Sequence, residues 1–62
     1  MAIMKFKFQT SDDCEEANDI IGDHDIVARE ETKYLLVVNL NDSDDVEDIL
    51  DDAGISYHPI VY

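Results

Sequence analysis

The sequence predicts a two-layer α+β domain, with four strands and two helices in the order β-α-β-β-α-β. Three observations predict it. Apolar residues alternate at the start of the chain, recur at helical spacing in two later stretches that each end at a glycine, and run continuously through KYLLVVNL at residues 33–40. Alternation marks a strand with one buried face, and helical spacing marks an amphipathic helix. A continuous apolar run marks a central strand covered, at least partly, on both faces.

The elements follow in order. In residues 2–8, Ala2, Met4, Phe6 and Phe8 point one way and Ile3, Lys5 and Lys7 the other, as in a half-buried strand. Thr10 and Ser11 are good N-caps, Asp12 and Asp13 suit a first helical turn, and Cys14, Ala17, Ile20 and Ile21 make an inner stripe over a helix at 10–22 that Gly22 stops. Residues 25–29 read as a second strand and Glu30-Glu31-Thr32 as a hairpin turn, although it lacks an Asn-Gly or Asp-Gly pair. The third strand is 33–40. Asn41, Asp42 and Ser43 offer caps for a second helix at 42–54, with Val46, Ile49, Leu50 and Ala53 as its inner face and Gly54 as its stop. Ile55 to Tyr62 forms the last strand, and Pro59 marks it as an edge or bulged one. Two crossover helices around a central hairpin define a ferredoxin-like arrangement over residues 1–62, with expected strand order 4-1-3-2. Both helices then lie side by side on one face of the sheet.

The chain has sixteen Asp and Glu against four Lys and Arg, a net charge of −12. The helical stretches carry Asp12, Asp13, Glu15, Glu16 and Asp19, then Asp44, Asp45, Glu47, Asp48, Asp51 and Asp52, with Asp23 just beyond the first and no cation in either. Like-charge pairs at i,i+3 and i,i+4 fall at 12/15, 12/16, 13/16, 15/19, 16/19, 44/47, 44/48, 45/48, 47/51, 48/51 and 48/52. At roughly 0.2–0.5 kcal/mol each they amount to about 2–5 kcal/mol of repulsion before screening. Favourable helix-dipole interactions at Asp12, Asp13, Asp44 and Asp45 offset part of it. Such a cost in so small a domain implies a use for the negative surface, or a salty cell. The charge argues against direct binding of nucleic acid or an anionic membrane. It argues for a cationic partner.

One cysteine, Cys14, fits a reducing compartment. The start is too short for a signal-peptide core and no apolar stretch approaches a membrane span, so a cytoplasmic protein is expected. Asn41-Asp42-Ser43-Asp44-Asp45 has the look of a calcium loop but lacks its glycine and its closing Glu, so helix capping explains it better. His24, between Asp23 and Asp25, reads as a turn residue and His58 as a strand residue; with Cys14 they make no convincing set of metal ligands. Cys14 on an apolar stripe reads as a core residue. Nothing marks a catalytic centre, and no cofactor is expected. The uncovered sheet face should carry one of two apolar sets of the third strand, Lys33/Leu35/Val37 or Tyr34/Leu36/Val38. A homodimer is expected there, with Tyr34, Leu36 and Val38 at its interface, or else along an edge strand.

The carboxylates over 12–19 and 44–52 recur about every 2.2–2.4 Å along their helices. Duplex DNA carries about one negative charge per 1.7 Å. In size, acidity and helix-borne carboxylates such as Asp12/Glu16/Asp19 and Asp44/Asp48/Asp52, the chain resembles the small acidic DNA-mimic proteins that phages use against host factors. That resemblance implies a non-enzymatic inhibitor acting in the host cytoplasm on a basic DNA-binding protein, with a bacterial nucleoid-associated HU-type protein the preferred target. Two rivals are a halophile's housekeeping domain, which an excess of Asp over Glu fits, and a small regulatory or effector-binding domain.

Overall fold

The computed structural model describes residues 2–61; Met1, and Tyr62 of the expected last strand, lie outside them. Strand β1 (Ile3–Lys7) leads to helix α1 (Ser11–Asp23). Strands β2 (Ala28–Thr32) and β3 (Leu35–Asn39) form a hairpin. A 3-10 turn (Leu40–Asp42) then runs into helix α2 (Ser43–Ala53), and β4 (His58–Val61) closes the chain. Neighbouring strands are antiparallel in the order β2-β3-β1-β4, which is the expected 4-1-3-2 read from the opposite edge.

Alternation in β1 turns Met4 and Phe6 inward, and Phe8 follows them into the core. Register then decides the face of β3: Met4 stands opposite Val38 and Phe6 opposite Leu36. These side chains meet Cys14, Ala17 and Ile21 of α1, Val46 and Leu50 of α2, and Ile55. Both helices therefore cover the same face of the sheet. Leu36 and Val38 are 0% and 2% exposed, so they hold the two layers together and cannot form the expected dimer interface. Of that trio only Tyr34 reaches solvent.

The hairpin also differs from expectation. Glu30, Glu31 and Thr32 belong to β2, and the turn is Lys33–Tyr34, where Thr32 Oγ1 accepts a hydrogen bond from the Tyr34 N–H at 3.2 Å. The threonine hydroxyl does the work that an Asn-Gly turn does through backbone conformation. Ile26 and Val27, expected in the strand, precede it. A register shift between Glu30 and Thr32 leaves Glu31 as a bulge. Charge and a bulge on β2, and Pro59 on β4, are features that blunt sheet edges against pairing with another chain.

The helix ends share a device, which the sequence advertised at Gly54 but not at the end of α1. In α2, Gly54 adopts φ 73° and the Ile55 N–H returns to the Leu50 carbonyl at 3.0 Å. In α1, Asp25 adopts φ 59° and the Ile26 N–H returns to the Ile21 carbonyl at 3.4 Å. Both are left-handed stops followed by an apolar residue folded back on the core. Asp25, not Gly22, is therefore the stop of α1; Gly22 lies inside the helix. At the N-termini, the Thr10 side chain accepts from the Asp13 N–H at 3.1 Å. Asp42 makes no such cap on α2, because the 3-10 turn carries its carbonyls into the helix: the Ser43 N–H bonds to the Leu40 carbonyl, and the Ser43 hydroxyl donates to it at 2.7 Å.

Candidate interaction surface on the helix layer

Burial of Cys14, Ala17 and Ile21 fixes the rotation of α1, and burial of Val46 and Leu50 fixes that of α2. Most of the remaining positions face solvent, and carboxylates dominate them. Asp12, Glu15, Glu16, Asp19 and Asp23 of α1 are exposed, as are Asp44, Asp45, Asp48, Asp51 and Asp52 of α2; Asp13 and Glu47 are half-buried. Because α1 runs on to Asp23, the pair 19/23 joins the repulsive set. The two helices pack against each other, so the twelve expected partner-binding carboxylates lie in one layer. No Lys or Arg stands on either helix.

Between the end of α1 and α2 run shallow grooves with an apolar floor and an acidic rim. Ile20, Ile26 and Ile49 form the floor; Asp45, Asp48 and Asp52 form the rim, with His24 at one end. Sequence reasoning missed this floor, because Ile20 and Ile49 read as fully buried stripe positions. Both are half-buried. His24 is an exposed C-cap whose backbone N–H bonds to the Ile21 carbonyl at 3.1 Å. Among the described residues, no three His, Cys, Asp or Glu side chains come together as a metal-binding group.

At the other flank of α2, Tyr57 packs edge-on against Phe6, with ring centroids 5.5 Å apart. Burial raises its phenol above the ordinary value; the charge of Asp51, a hydrogen bond from the phenol to that carboxylate, and the charges of Glu47 and Asp48 raise it further. This residue ties β4 to the acidic layer, a link that its place in a β-prone segment did not signal. Cys14 is 1% exposed. Burial pushes its thiol up, and the charge of Glu30 adds to that, so the sulfur is held as an inert thiol in the core.

The opposite face of the sheet has another character. Val37 stands between Lys5 and Arg29 in register, Lys5 stands beside Ile60, and Lys7 lies between Leu35 and His58. Val37 is 7% exposed and Ile3, Leu35 and Ile60 are half-buried, so this face is not the bare apolar strip that the sequence implied. Lys5 Nζ reaches Glu31 Oε2 at 2.7 Å. Three of the chain's four cations thus share the face that the helices leave open, while the helix layer has none. Among the described residues, no helix is long and apolar enough to cross a membrane.

No family model, curated protein or solved structure matches the chain.

Proposed function

We propose that the protein is a non-enzymatic acidic inhibitor whose helix layer occupies the DNA-binding surface of a basic protein, preferably a bacterial nucleoid-associated HU-type protein in the cytoplasm of a host cell. One observation carries this reading: two adjacent helices present carboxylates at nearly every exposed position and no cation, although alternating signs would relieve the repulsion. The connectivity is read as ferredoxin-like, with the two helices side by side on one face of the sheet. Two ribs of fixed carboxylates supply what Lys and Arg side chains meet along a phosphate backbone: closely spaced negative charge on a stiff frame. The apolar floor at Ile20, Ile26 and Ile49 suits the methylene stems of those side chains while Asp48 and Asp52 receive their heads.

The test is displacement. A basic HU-type protein holding a labelled duplex is titrated with this protein and with a variant carrying Glu16→Lys, Asp19→Lys, Asp48→Lys and Asp52→Lys. Asp51 is spared because it accepts the Tyr57 hydrogen bond. The parent should release the duplex, less effectively as salt rises, and the variant should lose most of that ability while melting no lower. Failure of the parent to displace DNA, or equal potency of the variant, rejects the reading.

A further inference from the structure

We infer that the open sheet face is a docking surface for the helix layer of a second copy of this chain, so that copies stack head to tail. This does not rest on the proposed function; it rests on how the charges are divided between the two faces of one molecule.

Lys5 and Lys7 lie on β1, a central strand, with Arg29 on β2 and His58 on β4 of the same face. This face already holds one carboxylate, that of Glu31 against Lys5, and its other long cations, Lys7 and Arg29, are exposed. A two-fold pairing of sheet on sheet would press the central lysines of both copies together and bury like charges, which is costly. The helix layer of another copy instead offers exposed carboxylates on a surface of the same footprint, since both faces belong to a body of 28 × 21 × 15 Å. At about 0.15 M salt the Debye length is about 8 Å, shorter than the 15 Å thickness of the chain. The cationic face therefore meets its neighbour's carboxylates while its own are screened. Sheet on helix is a heterologous contact: it leaves one free face of each kind at the ends and does not close on a dimer. A stacked copy also has its helix carboxylates covered, so stacking and the capture of a basic partner exclude each other.

Sedimentation of the purified chain tests this without any other protein. One variant carries Lys7→Glu and Arg29→Glu; a second carries Asp48→Lys and Asp52→Lys; circular dichroism monitors their folding. At about 0.15 M salt the parent should form species beyond the dimer as concentration rises, and these should disperse near 1 M, where the Debye length falls to about 3 Å. Each variant alone should stay monomeric. Mixed together they should form a one-to-one pair and stop, because one retains only a working helix layer and the other only a working sheet face. That pairing also proves that both variants are folded. A parent that stays monomeric throughout, a helix variant that still associates, or a mixture that does not pair would overturn the inference. The second of these would indicate sheet-to-sheet pairing instead.

Discussion

Asp25 and Gly54 occupy equivalent places, each the left-handed residue that stops a helix, yet they differ in what that conformation costs. A side chain at positive φ is strained by its Cβ, while glycine is not. Beyond its chain neighbours nothing lies within 4 Å of where a Cβ on Gly54 would sit, so only the backbone conformation opposes a substitution there. Gly54→Ala should lower stability by about 1 kcal/mol, and Asp25→Gly should raise it by up to about 1 kcal/mol. Urea midpoints measure both; shifts of the same sign would reject the account. Tyr57 gives a pH prediction. Its raised phenol means that the folded state holds the proton more tightly than the unfolded chain. That contribution is complete below the ordinary tyrosine value of about 10 and is lost as pH climbs through the raised folded value. The parent should therefore lose melting temperature above about pH 10 more steeply than Tyr57→Phe. Parallel curves would mean that the phenol is not held in solution as it is here, buried and beside Asp51.

The helices were legible in the sequence because a buried stripe and its spacing are local properties. Cys14, Ala17 and Ile21, with Val46 and Leu50, are buried as their spacing requires. Strand β2 was misplaced for a physical reason. Ile26 and Val27 look like strand residues, but Ile26 serves the stop of α1 and Val27 is 80% exposed. The true strand, AREET, is polar because it is an edge. The inward face of β3 was not legible either: its two alternating sets are equally apolar, and only pairing with β1 chooses between them. The same parity decides the make-up of the open face, since it keeps Leu35 and Val37 among the cations there. Leu36→Ala should cost about 2–5 kcal/mol, enough to unfold a domain of this size, whereas Leu35→Ala should leave a folded chain. Thermal melts followed by circular dichroism distinguish the two. A folded Leu36→Ala variant would show that the layers are held together elsewhere.

For the whole molecule, the decisive quantity is the work of gathering a net charge of −12 into a body only 28 Å long. That work is worst where the helices lie side by side, and it depends on salt in a way that separates the two leading accounts of the acidity. If the carboxylates serve recognition in an ordinary cytoplasm, the fold must tolerate them at physiological ionic strength. Screening between helices should then be largely complete once the Debye length nears 8 Å, at about 0.15 M. Melting temperature should rise steeply up to that concentration and level off beyond it. The variant reversing Glu16, Asp19, Asp48 and Asp52 to lysine, with much of the repulsion turned to attraction, should melt higher than the parent at low salt and depend on salt far less. A halophilic domain behaves differently: it is unfolded at 0.15 M, or continues to gain stability as salt approaches molar concentrations near 1 M, where the Debye length is about 3 Å and simple pairwise screening is nearly exhausted. Melts of parent and variant across that range decide the matter. Continued stabilisation of the parent into molar salt would assign the carboxylates to the solvent rather than to a basic partner, and phosphate mimicry would lose its main support.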